Sequence, residues 1–124
     1  MRIKTELVKG LNESACYIYE NNKAKGFWDK PRNVGELLML VTSELAEALE
    51  AQREDKFASM EEFDKSHTPE SFKAYIKDSF EDEIADAIIR LLDLCGGLQI
   101  DIERHIQLKV AYNETRQRLH GKSF

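Results

Sequence analysis

A chain of 124 residues with 42 % hydrophobic and 33 % charged residues can bury one core but not two of ordinary size, so residues 1–124 read as a single domain. The 18 Lys and Arg against 23 Asp and Glu leave a net charge of −5, the wrong sign for a surface that tracks a nucleic-acid backbone, and no nucleic-acid partner is expected. No apolar run approaches the roughly 20 residues of a membrane span, MRIKTELVKG lacks a leader-like apolar stretch, and Cys16 and Cys95 are far apart in sequence; a cytoplasmic setting without a membrane partner is the expectation.

Two prolines, six glycines and long stretches of Leu, Ala, Glu, Lys, Arg and Gln at helical spacing predict an all-α chain. The first helix is expected from about Lys4 to Lys25, with Leu7, Leu11, Ala15, Ile18 and Tyr19 on one face, stopping at Gly26 before Pro31. A second is expected from Val34 to about Glu54, followed by a polar connection, 55–67, with room for a short turn of its own. Thr68, Pro69 and Glu70 read as cap, first position and acidic first turn of a third helix running to Cys95 and ending at Gly96 and Gly97. The fourth is expected from Asp101, as cap, to Leu119, leaving the tail GKSF. Four such helices predict a four-helix-bundle-like fold.

Two of these helices carry acids at i, i+3 spacing: Glu44 and Glu47 on the second, Glu83 and Asp86 on the third. In so acidic a chain such pairs also arise on solvated faces, so spacing alone decides nothing. Position around the helix says more. Glu44 falls among Leu37, Leu40, Val41, Ala48 and Ala51, inside the apolar stripe, and Glu47 borders it. A carboxylate there stays ionised only if a cation or several donors compensate it. Glu50 lies toward the polar side, near enough to support the pair. On the third helix Ser79, Glu83, Asp86, Arg90 and Asp93 form a polar stripe that solvent exposure explains equally well, with Ile84, Ile88, Leu91, Leu92 and Cys95 as the expected core face. Acids from two adjacent helices suit Mg²⁺, with Mn²⁺ the alternative, because hard cations take oxygen ligands. His67, His105 and His120 stand in no Glu-x-x-His pair of the di-iron kind, and no zinc spacing occurs.

On the fourth helix Lys109, Asn113 and Arg116 continue the line of Ile102 and Ile106 at i, i+4 and i+7. Their long stems suffice to cover apolar surface with the heads in water; beside a metal held by the acids, the same residues suit phosphate oxygens.

Three segments together, SELAEALEAQRE, EDEIADAIIRLLDL and KVAYNETRQRLHGKSF, resemble the MazG-like all-α nucleoside triphosphate pyrophosphohydrolases, relatives of dimeric dUTPases and phosphoribosyl-ATP pyrophosphatases, over nearly the whole chain. The resemblance implies Mg²⁺ ligands at Glu44, Glu47, Glu83 and Asp86, triphosphate contacts from Lys109, Asn113 and Arg116, and a homodimer or homotetramer. It implies cleavage of a nucleoside triphosphate between the α and β phosphates, giving monophosphate and pyrophosphate; among the four acids Glu47 is our candidate for the base. Two departures stand out: Ser43 replaces the first acid of the family's EExxE helix, and the connection between Glu47 and Glu83 is longer than compact members carry. Narrower dUTPase, dCTPase or phosphoribosyl-ATP activities fit the same residues, and so does a non-catalytic helical module. Phe27 and Trp28 are candidates to stack on a nucleobase, or to cap the bundle end or a subunit contact.

Overall fold

A computed structural model describes residues 10–116, which form six helices and, among the described residues, no strand. They are α1 (Leu11–Ala24), α2 (Val34–Arg53), α3 (Met60–Phe63), α4 (Pro69–Tyr75), α5 (Phe80–Gly97) and α6 (Ile102–Thr115). None of them is long and apolar enough to cross a membrane. The expected beginning at Lys4 with Leu7, the expected end at Leu119 and the tail GKSF lie outside the described residues; α6 runs to Thr115, with Arg116 extended after it.

Local capping explains most boundaries. At the end of α1, Gly26 takes φ 93° and the Phe27 and Gly26 amides return to the carbonyls of Asn22 and Lys23, the paired bonds of a glycine-terminated helix. Asn33 caps α2 by accepting from the Glu36 amide, and Thr68 and Ser71 cap α4 reciprocally ahead of Pro69.

The expected third helix is in fact two. Ser79 accepts from the Asp82 amide and starts α5 afresh, while Asp78 takes φ 64° and its amide donates to Asp82 Oδ2 at 2.9 Å. The S-x-x-D string at Ser79–Asp82 is itself a helix-start signal, and it overrides the helical spacing that runs through it. Gly97 is the last residue of α5, as expected, but neither glycine makes the turn that follows: the left-handed conformation falls on Gln99, φ 56°.

Those glycines serve packing instead. A Cβ on Gly96 would stand 2.7 Å from the Ala15 carbonyl oxygen, and one on Gly97 would stand 2.6 Å from the Trp28 ring. Gly96→Ala should therefore destabilise the chain by about 1–3 kcal/mol despite alanine's better helix propensity, since α1 and α5 must separate. Chemical denaturation measures this; a variant as stable as wild type would show that the approach is not tight.

α5 is the central element, with α1 and α2 packed on it, while α3 pairs with α4 and α6 with α1. Ala15, Leu92 and Cys95, backed by Ile18 and Ile102, make the α1–α5 core, and Leu37, Val41, Ala48 and Ala51 give α2 its buried stripe. The expected core face of α5 is only half right. Leu92 and Cys95 are buried, but Ile88 and Leu91 are exposed and Ile84 is half-buried, whereas Ser79, Glu83 and Asp93 of the polar stripe are buried. Both faces of α5 are amphipathic, and the single chain covers the one that carries acids.

Candidate metal centre

Because α2 and α5 run antiparallel, Glu44 and Glu47 come opposite Asp86, Arg90 and Glu83. One carboxylate oxygen each from Glu44, Glu83 and Asp86 lies within 4.8 Å of the others. Glu44 and Glu83 are only 9 % and 6 % exposed. Arg90, one helical turn beyond Asp86, donates from Nε to Glu44 Oε1 at 3.0 Å and is the cation this arrangement supplies. One guanidinium does not satisfy four acids. Glu83 Oε2 is buried and has no hydrogen-bond partner among the described residues.

The electrostatic result is a carboxyl that favours its protonated form. Burial, first, and then hydrogen bonds to the Glu47 and Glu44 carboxyls push the Glu83 carboxyl up to about 8 from an ordinary 4.5. Asp86 is raised as well, by burial and then by the charges of Asp82 and Glu44, with Arg90 opposing. A buried carboxyl that favours its proton beside other acids marks a place where a divalent cation can replace that proton. The donors are all carboxylate oxygens, one of them an orphaned buried acceptor, and this set fits a hard, oxygen-preferring cation. Glu47 is exposed, and its carboxylate is among the groups that raise Glu83.

Beside the acids opens a cavity of about 360 Å³, lined on its far side by Asn22, Phe27, Ile89 and Asp93. Asp93, buried at 5 % exposure, accepts from Trp28 Nε1 at 2.9 Å and Asn22 Nδ2 at 3.1 Å, which ties the loop after α1 to α5. Trp28 is thereby fixed over Gly97, edge-on to Tyr19, while Phe27 lines the cavity with the Arg32 guanidinium 3.9 Å from its ring centre.

Lys109, Asn113 and Arg116 are not brought to the acids. Lys109 and Asn113 ride on α6, which packs against α1, and Arg116 follows its end; the Lys109 ammonium and the Arg116 guanidinium lie 5.5 and 5.9 Å from the Tyr112 ring centre, and Asn113 Oδ1 is buried with no hydrogen-bond partner among the described residues. Sequence reasoning passed over Arg90, Asn22 and Asp93 as site residues. The i, i+4 and i, i+7 steps from Asp86 along the polar stripe were the available signal for Arg90 and Asp93; for Asn22 there was none, because it meets Asp93 only through tertiary packing. Compared with family models, with curated proteins and with solved structures, the chain matches none of them, and the reading of this centre rests on its own residues.

Proposed function

We propose that the chain is a Mg²⁺-dependent nucleoside triphosphate pyrophosphohydrolase, similar in its residues to the MazG-like enzymes. The observation that carries this reading is the buried acid cluster of Glu44, Glu83 and Asp86, with an orphaned Glu83 oxygen, at the edge of a cavity of nucleoside size. Mg²⁺ bound there supplies charge neutralisation for phosphate oxygens and a more acidic water. Glu44, Glu83 and Asp86 hold the ion, Arg90 fixes the Glu44 carboxylate, and Glu47 takes the proton from the attacking water. The new bond joins the water oxygen to the α phosphorus, and the bond from that phosphorus to the β bridge breaks, releasing pyrophosphate. Phe27 offers an aromatic face to the nucleobase.

Lys109, Asn113 and Arg116 enter this scheme through self-association. Exposed Leu38, Leu45 and Leu49 on α2, with Ile88 and Leu91 on α5, leave an apolar surface of the kind copies of a chain cover in a dimer or tetramer, and α6 of one copy then serves the acids of another. The test is pyrophosphate release from a panel of canonical and modified ribo- and deoxyribonucleoside triphosphates with Mg²⁺. Monophosphate plus pyrophosphate supports the proposal, and the preferred nucleotide separates a broad enzyme from a dUTPase-, dCTPase- or phosphoribosyl-ATP-directed one. Diphosphate plus phosphate, or no turnover by the folded chain, overturns it.

A further inference from the structure

Phe27 lines the cavity beside the acids, and a charge stands behind it. The Arg32 guanidinium carbon lies 3.9 Å from the centre of the Phe27 ring, against 5.5 to 5.9 Å for the other cation–ring pairs among the described residues. Arg32 does not itself line the cavity, so the guanidinium covers the ring from behind and the cavity meets its uncovered side. Both partners sit on fixed backbone: the Phe27 amide donates to the Asn22 carbonyl at the end of α1, and Arg32 immediately precedes Asn33, the cap of α2.

A staple between two helix ends is the plain explanation, but an arginine makes a poor staple here. Its Nε is buried without a hydrogen-bond partner, and the guanidinium forms no ion pair among the described residues, although Asp29 and Glu36 stand close by in sequence. Burying a donor unpaired costs about as much as a desolvated cation–ring contact returns, so the pair adds little to stability. A leucine or methionine in its place would cover the ring without that cost. The arginine is explained instead by what it does to the ring. An aromatic face is electron-rich and repels the π-electrons of a base stacked on it; a cation on the opposite side draws that density back and strengthens the stack. The gain grows with the electron density and polarisability of the incoming base, which are large for guanine and small for uracil.

We propose that Arg32 is a positioning residue for the nucleobase, one that acts through the Phe27 ring to favour a purine, guanine above all, over a pyrimidine such as uracil. This rests on the cavity being the nucleoside's place, as in the hydrolase reading, but asks no chemistry of the acids.

The probes are deoxyguanosine and deoxyuridine monophosphate, added with Mg²⁺ to the full-length chain. The signal is the fluorescence of Trp28, the single tryptophan, whose ring centre is 5.7 Å from that of Phe27. Wild type should bind the guanine nucleotide more tightly than the uracil one. Arg32→Gln should weaken the guanine nucleotide by about threefold to tenfold and leave the uracil one nearly unchanged, Arg32→Lys should restore most of the preference, and melting temperatures should stay close to wild type. Phe27→Leu removes the ring itself, so it should abolish the preference with the arginine in place, which keeps the inference testable if Arg32→Gln folds poorly. A preference that survives Arg32→Gln, or equal losses for both nucleotides, overturns the role of Arg32. Pyrophosphate release by a wild type that shows no such preference, or that binds neither probe, overturns this inference alone; neither binding nor release overturns the hydrolase reading with it.

Discussion

Glu44→Gln and Asp86→Asn are each expected to lower pyrophosphate release by about a hundredfold to a thousandfold while leaving the helical content intact. Glutamine at position 44 keeps an oxygen for the Arg90 Nε donor, so the 3.0 Å bond between α2 and α5 survives while the charge is lost. Asparagine at position 86 removes one of the charges that repel Glu83, so the metal-free variant should melt no lower than wild type, or slightly higher. Reduced turnover together with undiminished stability distinguishes a site residue from a structural one, because a residue that holds the fold loses both. Either variant working at the wild-type rate would remove the cluster from the chemistry. Glu47→Gln separates base from ligand: if turnover persists and only Mg²⁺ affinity falls, Glu47 is not the base.

The second large effect is a stability that depends on pH and on Mg²⁺ together. Glu83 keeps its proton in the metal-free fold up to about 8, against 4.5 ordinarily, so between those values the folded chain binds more protons than the unfolded one. Its stabilisation is complete below about 4.5 and is lost as pH rises through 8. Mg²⁺ takes the place of that proton, so the melting temperature should rise with Mg²⁺, and more at pH 8 than at pH 6. At a hundredfold excess over Kd the gain is about 2.7 kcal/mol, on the order of 10 °C for a chain of this length. Glu83→Gln should flatten the pH dependence and abolish the Mg²⁺ shift, as thermal melts followed by circular dichroism will show. A wild-type melt insensitive to Mg²⁺ with nucleotide present would instead favour a helical interaction module, for which the exposed apolar residues of α2 and α5 are the natural surface.

What could be read from the sequence was what local chemistry decides. The Gly26 stop, the Thr68–Pro69 start and the Asp101 cap depend on neighbours within a few residues, and all three stand in the structure. The buried stripe of α2, with Glu44 inside it, was legible because that helix has one apolar face dense in small residues. The orientation of α5 was not. Ile84, Ile88 and Leu91 make as good an apolar face as the one turned inward, and only the partners α1 and α2 choose between them. The site was legible to the same depth: Glu44, Glu83 and Asp86 meet because α2 and α5 pack together, whereas Lys109, Asn113 and Arg116 are carried off by a chain direction after Gln99 that no spacing rule contains.

The excursion between α2 and α5 leaves and returns through one narrow neck. The Phe80 amide donates to the Lys56 carbonyl at 2.8 Å, the Ser59 amide to the Tyr75 carbonyl at 2.9 Å and the Ala58 amide to Glu81 at 2.9 Å, with the Phe57 and Phe80 rings edge to face. Beyond it, α3 and α4 pack on each other through Phe63 and Phe72 rather than on the central helices. A loop pinned at its base is a cooperative unit of its own, able to open and reclose while the helices beneath stay folded. Amide hydrogens in Met60–Tyr75 should accordingly exchange together and well ahead of those in α5, and lengthening or shortening this segment should cost little, because closure entropy grows only with the logarithm of its length. The neck thus leaves this stretch free to diverge in size and sequence without reaching Glu83, one helical turn past its exit at Phe80.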